Sequence, residues 1–438
     1  MLFRSLFLVT DNPDDGAGLA MLRNAVGGDP LVGVCEPDLL QALLHRYLPG
    51  RPAAPRGDEQ DAVAMVDRLL TEAWLRRASD IHIEPLDKGL RLRLRVDGQL
   101  QELGQRFSPA QGAAIISRIK VLAGMDIAET RAAQDGGFVY KLKHWEVQPL
   151  ELRAAAMPTV HGERMTLRVL GDADNRLGLD MLGMPAEMLE RLRDALSRPY
   201  GILLVTGPTG SGKSTTLYGA LRELKAEHLN IMTVEDPVEQ PVPGISQSPM
   251  SQKLSFARAV RAFLRHDPDI IMVGEIRDGD TADAAIKAAM TGHLVLSTLH
   301  TNHSVAAVTR LADIGCERFL IAANLVGVIA QRLARRLCSH CRQQRPATAA
   351  EQALLGQETP ATLHEPAGCP ACLGTGYAGR IGLYEALWVD PVLADAIQDG
   401  LPERELVARA SQLYTLRDDA LAKLRAGATS LDEVRYLL

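Results

Sequence analysis

The sequence predicts a multidomain α/β protein. Its centre is a mostly parallel sheet bearing a phosphate-binding loop, preceded by a compact α+β domain and followed by a cysteine-bearing segment and a helical tail. Three observations carry this. From about residue 180 to 337, apolar strand runs alternate with helical stretches, the pattern of a sheet with helices on its faces. Inside that block, the buried-strand run Ile202-Leu-Leu-Val205 leads into Gly207-Pro-Thr-Gly-Ser-Gly-Lys-Ser214 and then a helical stretch, Thr215–Leu224. Ahead of it, Leu90-Arg-Leu-Arg-Leu-Arg-Val96 alternates apolar and basic residues without a miss, as a half-buried strand does.

The 438 residues leave room for about three domains. Apolar residues at 46% and charged residues at 23% are ordinary for a globular chain and exclude a wholly disordered or fibrous one. The net charge of -6 gives no general attraction to nucleic acid, and aromatic residues at 4% offer few base-stacking platforms. No run of 18 apolar residues occurs. The first ten residues lack a basic start, a long apolar run and a cleavage site, so no signal peptide is read and a cytoplasmic protein is expected. Six cysteines in such a chain are read as metal ligands or buried thiols before disulfides.

Along the chain, Leu31–Val34 reads as a strand and Asp38–Leu48 as a helix. A Pro- and Gly-rich linker, 49–57, closes this short N-terminal region (1–58). A helix near Asp61–Arg77 opens the α+β domain (59–172). The Asp97-Gly98 turn joins the alternating strand to a partner, Ile115, Ile119 and Leu122 mark a helix, and Glu151–Ala155 with Arg164–Leu170 give a further strand pair. The parallel-sheet block (173–337), the cysteine segment (338–385) and a helical tail (386–438) follow. Ser430-Leu-Asp-Glu433 reads as a capping box for the last helix.

Gly207, Pro208, Thr209, Gly210, Ser211, Gly212, Lys213, Ser214 and Thr215 form the phosphate-binding loop. Its backbone N–H groups and the helix N-terminus cradle phosphates, Lys213 reaches the terminal phosphates and Ser214 ligates Mg²⁺. Without the strand before it and the helix after it, the match would be only a glycine-rich turn. Two later strands end in acids: Ile231–Glu239 with Glu235 and Asp236, and Asp269–Asp278 with Glu275 and Arg277. Ligands of parallel sheets sit beyond the strands' carboxyl ends, so both clusters fall beside the loop if the strands share one sheet. Glu275 is placed to prepare an attacking water, and Glu235 and Asp236 to hold Mg²⁺ through water. Solvated strand-end acids are the other reading.

His293 and His300 bracket a fourth strand, as phosphate sensors or as hydrogen-bonded core histidines. Arg261 and Arg265 share a helix face that meets phosphates or acids, or is simply solvated. Cys338, Cys341, Cys369 and Cys372 make two C-x-x-C knuckles with 27 residues between them, a closed tetrathiolate Zn²⁺ set, with redox chemistry as the alternative. Cys35 and Cys316 sit among apolar residues as inert thiols.

In this order these motifs resemble the secretion ATPase superfamily of type II secretion and type IV pilus assembly, over about 60–438. The resemblance rests on Ala78–Pro85, Arg95–Gly98, Asp126–Glu129, Gln134–Gly136, Gly162–Arg164, the phosphate loop, Glu235–Glu239, Gly274–Asp278 and Thr298–Asn302. It implies a RecA-like ATPase domain preceded by a flexibly joined PAS-like domain. It implies a homohexameric, cytoplasmic, Mg²⁺-dependent motor that uses ATP to drive an inner-membrane platform protein, associates peripherally with the membrane through partners and binds no nucleic acid. Arg153 and Arg168 match the family's phosphate-reaching arginines. The cysteine pairs place the chain with secretion and pilus extension rather than retraction, type II secretion first. The chain departs from the family twice. Gly137 stands where an arginine is usual, and the region that docks to a cytoplasmic domain of an inner-membrane assembly protein is short. A nucleotide-gated scaffold and a DNA motor compete with this reading. Lys213 with Glu275 opposes the first and the acidic charge the second, although Arg332, Arg335, Arg336, Arg342 and Arg345 form a local basic patch.

Overall fold

The computed structural model describes residues 61–104, 107–142, 149–170, 177–225, 228–356, 361–410 and 413–438, with the backbone of two short strands before them. These strands, β1 (Phe7–Thr10) and β2 (Leu31–Val34), pair in parallel. The expected helix over 38–48, the linker and Cys35 lie outside the described residues. The chain divides into two compact units, 1–170 with 367–376, and 171–366 with 377–438.

The first unit is built on a six-stranded antiparallel sheet. Its strands are β3 (Asp80–Leu86), β4 (Gly89–Val96), β5 (Gln99–Glu102), β6 (Gln134–Tyr140), β7 (Leu150–Thr159) and β8 (Gly162–Leu170), in the order β5-β4-β3-β8-β7-β6. The alternation in β4 does what its period demands. Leu90, Leu92 and Leu94 are buried among Val66, Leu70, Ile115 and Ile119 of the helices Ala62–Leu75 and Pro109–Leu122. Asp97 and Gly98 take φ of 49° and 86°, the left-handed pair that a tight hairpin requires. A capping box of Ser108 and Gln111, with Pro109 in the first turn, starts the second helix.

The opposite face is polar. One row across it reads Gly137, Arg153, Arg168, Asp80, Arg95. The next rows hold His82 and Glu84, whose buried carboxylate takes hydrogen bonds from Arg91 at 2.9 Å and Arg93 at 2.6 Å and pairs with Arg164 at 3.0 Å. Burial raises the Glu84 pKa, the bonds from Arg93 and Arg91 lower it, and it settles below the ordinary carboxylate value.

The second unit is built on a seven-stranded sheet. It comprises β9 (Gly201–Thr206), β10 (Ile231–Glu235), β11 (Ser246–Pro249), β12 (Ile270–Val273), β13 (Leu294–Leu299), β14 (Leu325–Leu337) and a last strand, Tyr377–Trp388. The order is β11-β10-β12-β13-β9-β14 and then that last strand, which alone runs antiparallel. Between them, β15 (Gln343–Pro346) and β16 (Thr362–Glu365) form a small antiparallel pair, so the last strand is β17. Reading the sheet as ending at 337 therefore needs correction: β17 closes it, and most of that strand lies inside the segment read as 338–385. Its residues Leu383, Tyr384, Ala386 and Leu387 are buried, with Glu385 buried between them. Both faces of the sheet are covered, which is why β9, β12 and β13 are wholly buried strands.

Among the described residues no helix is long and apolar enough to cross a membrane.

Candidate functional site

The parallel register places the carboxyl ends of β9, β10, β12 and β13 on one edge. Val234 lies beside Val273, Val273 beside Ser297 and Leu299 beside Thr206. The phosphate loop, Glu235, Glu275 and His300 leave the sheet from these positions.

The loop 207–212 turns between β9 and the helix Lys213–Leu224 on glycines that nothing else can replace. Gly207, Gly210 and Gly212 have φ of 148°, 78° and 88°. A Cβ on Gly207 would lie 2.5 Å from both the Gln331 carbonyl and Ser211 Oγ, and one on Gly212 would lie 2.7 Å from Gln331 Nε2. Lys213 Nζ reaches across the loop to the carbonyls of Gly207 (2.8 Å) and Pro208 (3.1 Å). Burial holds its ammonium below the ordinary lysine range; Glu275 and Glu239 oppose that shift and Arg332 adds to it. Ser211 Oγ is buried and makes no hydrogen bond. A cradle closed to a Cβ at Gly207 and Gly212, a lysine across it and an unpaired buried hydroxyl fit a phosphate chain. Ser214 and Thr215, half-buried, start the helix, while Pro208, Thr209 and Gly210 form the exposed tip.

Glu275 follows β12 and Gly274, and its side chain is 14% exposed. Arg277 pairs with one oxygen and His300 Nε2 lies 3.3 Å from the other. The structure thus brings Lys213, Glu275, Arg277 and His300 to one edge, and Asp236 is exposed beside them.

Glu235 departs from its expected role in holding Mg²⁺. Its carboxylate is buried and accepts from Tyr218 Oη, from Thr233 Oγ1 at 2.5 Å and from Gln247 Nε2 at 3.0 Å. Tyr218 in turn accepts the amides of Glu239 and Gln240, each at 3.2 Å. Glu235 therefore ties the acidic box to the helix behind the phosphate loop. Glu239 is the acid of that box whose charge acts on Lys213.

His293 also needs correction. It sits at the other end of β13, roughly 20 Å from His300 at about 3.3 Å per residue. Its Nδ1 lies 2.8 Å from the Ala288 carbonyl, which makes it a helix-end histidine. Arg261 and Arg265 are exposed on the helix Phe256–Phe263 and just past it. Arg261 stands 3.9 Å from Asp283, and Arg265 donates to the Arg261 carbonyl at 3.0 Å. Within this chain they form a solvated basic face.

In the first unit, Arg153 and Arg168 are directly opposite on β7 and β8. Arg168 Nε donates to Asp80 at 2.9 Å and Arg153 is exposed.

The thiols of Cys338, Cys341, Cys369 and Cys372 all lie within 4.8 Å of one another. The amides of Cys369 and Gly376 each donate to Cys372 Sγ at 3.1 Å, an arrangement suited to a thiolate. Tetrahedral Zn–S bonds of about 2.3 Å put neighbouring sulfurs about 3.8 Å apart, and the Cys369 and Cys372 sulfurs are 3.7 Å apart. The four fit one metal ion. Burial raises the Cys316 thiol to about 11, as for an inert thiol.

The basic patch is largely consumed internally. Arg335 pairs with Glu433 at 2.7 Å and stacks on Tyr377, and Arg345 pairs with Glu351 at 2.6 Å. Arg332 donates to the carbonyls of Gln331 (2.9 Å) and Asn302 (2.6 Å). Gln331 and Arg332 support the phosphate loop from β14, over a hundred residues downstream. No local pattern in the sequence signals them, since only the register of β14 beside β9 brings them there.

The type II/IV secretion system protein family matches residues 56–436. This chain belongs to that family. It is 47% identical over 381 residues to type II secretion system protein E of Klebsiella pneumoniae, covering 86% of this chain and 76% of that protein. It is 44% identical over 385 residues to the type IV pilus assembly ATPase PilB of Thermus thermophilus, covering 86% of this chain and 43% of that protein. The X-ray structure of the Legionella pneumophila ATPase DotB shares the fold, with a TM-score of 0.65 and 24% identity over 89% of this chain and 98% of that one. Membership, with the phosphate loop in place, makes the chain a P-loop ATPase of this family.

Replacing Tyr218 by Phe removes the hydroxyl that holds Glu235 and two amides. We expect a loss of about 1–3 kcal/mol of stability, read as a lower urea midpoint of the full chain. An unchanged midpoint would show that the hydroxyl contributes nothing.

Proposed function

We propose that this chain is the cytoplasmic motor of a type II secretion system, hydrolysing ATP to drive pseudopilus assembly and protein export. The observation that carries the reading is the meeting of Lys213, Glu275 and His300 on one sheet edge of a family member. Type IV pilus extension is the second reading, favoured by the similarity to the PilB protein of Thermus thermophilus.

In this mechanism the loop amides and Lys213 bind the β and γ phosphates, and Ser214 with Asp236 holds the metal environment. Bound Mg²⁺ would neutralise charge on the phosphates. Glu275 orients the water and takes its proton, while Arg277 and His300 fix the carboxylate's direction. Arg153 and Arg168 of a neighbouring subunit stabilise charge on the transferring group. The antiparallel unit (59–172) is the PAS-like domain and the parallel-sheet unit, from 173, is RecA-like, in a homohexamer. The motor acts on an inner-membrane platform protein and docks to a cytoplasmic domain of an assembly protein, staying peripheral to the inner membrane. The four cysteines hold a structural Zn²⁺.

Glu275→Gln should bind ATP within a few-fold of the parent and lose at least about 100-fold in kcat. Turnover like the parent's would remove Glu275 from the role. Arg153→Ala and Lys213→Ala are each expected to be nearly inactive, and mixing them should restore part of the activity. Absence of rescue in verified hetero-oligomers would confine the arginines to their own subunit. Elemental analysis should find about one zinc per chain, and Cys369→Ser should lower both that stoichiometry and the melting temperature. Metal-free protein from a chelator-free preparation would refute the zinc assignment.

A further inference from the structure

The last strand of the sheet, β17, carries a buried acid that the proposed mechanism does not use. Glu385 lies on β17 opposite Ala330, which lies opposite Thr206, the last residue before the phosphate loop. Its carboxylate is buried and serves the starts of two helices. Oε1 accepts the Ser304 amide at 2.7 Å and the Ser304 hydroxyl at 2.6 Å, where the helix Ser304–Asp313 begins. Oε2 receives the Leu416 amide at 3.4 Å, where the helix Leu416–Arg425 begins. First-turn amides have no partner within their own helix, and a carboxylate satisfies both the hydrogen bond and the helix dipole.

Ser304 is four residues past His300, the partner of Glu275, and every residue of the intervening bend is anchored. Thr206 Oγ1 accepts the Thr301 amide at 2.9 Å and shares a hydrogen bond with the Thr301 hydroxyl at 2.7 Å. Arg332 holds the Asn302 carbonyl, and His303 Nε2 lies 3.0 Å from Glu403. The far helix is equally fixed to β17: Asp419 accepts the Tyr384 amide at 2.8 Å, and Lys423 donates to the Gly382 carbonyl at 2.6 Å.

We propose that Glu385 is a positioning residue for ATP hydrolysis. By holding Ser304 and Leu416 on one carboxylate, it transmits the position of the C-terminal helices through the 300–304 bend to His300 and so to Glu275. The C-terminal region then sets turnover without touching nucleotide. The inference rests on Glu275 being the base.

The test is steady-state hydrolysis by the full chain, with assembly state and melting temperature measured on the same samples. Glu385→Gln and Ser304→Ala should each lower kcat about tenfold, the scale of a sub-ångström misplacement of reacting groups. KM should stay within about twofold, and the double variant should fall no further than the worse single. Ser304→Ala removes only a hydroxyl, so it decides the matter if Glu385→Gln does not fold. A kcat within twofold of the parent in Ser304→Ala or in a folded Glu385→Gln, with or without a lower melting temperature, overturns the proposal. So do additive losses in the double variant. Glu275→Gln is run alongside, so a wrong base shows as undiminished turnover there and a wrong Glu385 as undiminished turnover in the other two.

Discussion

The site depends on the in-register parallel pairing of β9, β12 and β13. It brings the phosphate loop, Glu275 and His300, drawn from ninety-odd residues of chain, to a common edge. A one-residue slip in any of these strands would turn its side chains to the other face and move its strand-end residue off the edge. The register is held because both faces are packed: Leu203 and Leu296 face one layer of helices while Leu204 and Val295 face the other. The geometry of this edge is thus a consequence of burying a two-sided sheet.

Around that edge, buried acids do structural tasks that keep exposed acids in place. Glu235 collects three side-chain donors and fixes the box that ends in Glu239. Glu385 collects two helix starts. Both oxygens of each carboxylate receive protein donors, as buried polar groups require. Glu275 differs: it keeps 14% exposure and only two charged partners, leaving an oxygen's lone pairs for water. Glu235 and Glu385 thus differ from Glu275 in the hydrogen-bond donors that each receives.

The first unit shows the same economy with the opposite sign. Its polar face carries Arg91, Arg93, Arg95, Arg164 and Arg168 over Asp80 and Glu84, so most of these guanidinium groups are committed within the sheet. Arg153, next to Arg168 and opposite Gly137, is exposed at the end of this row. Two arginines directly opposite repel each other unless an acid or an anion lies near, and Asp80 answers only for Arg168. An arginine at position 137 would have lengthened the row. Glycine ends it on the edge strand.

Much of this was legible in the residues themselves. The glycines at 207, 210 and 212 favour their loop because L side chains rarely adopt those backbone angles, and the alternation in β4 demands one buried face. Four cysteines in two knuckles named their own cluster. Other assignments needed the fold. Glu235 and Glu275 look alike as strand-end acids, yet only packing shows that Tyr218 and Gln247 turn the first inward. His293 and His300 bracket one strand, and direction alone decides that only the second reaches the edge. Gln331, Arg332 and Glu385 carry no local signal, because their partners lie between 30 and 115 residues away along the chain. Sequence alone determined the local chemistry: which loop binds phosphate, which strands are buried, which thiols cluster. Tertiary structure decided which acids and cations share an edge, because that depends on strand order and register, and those are set by non-local burial that no short segment encodes.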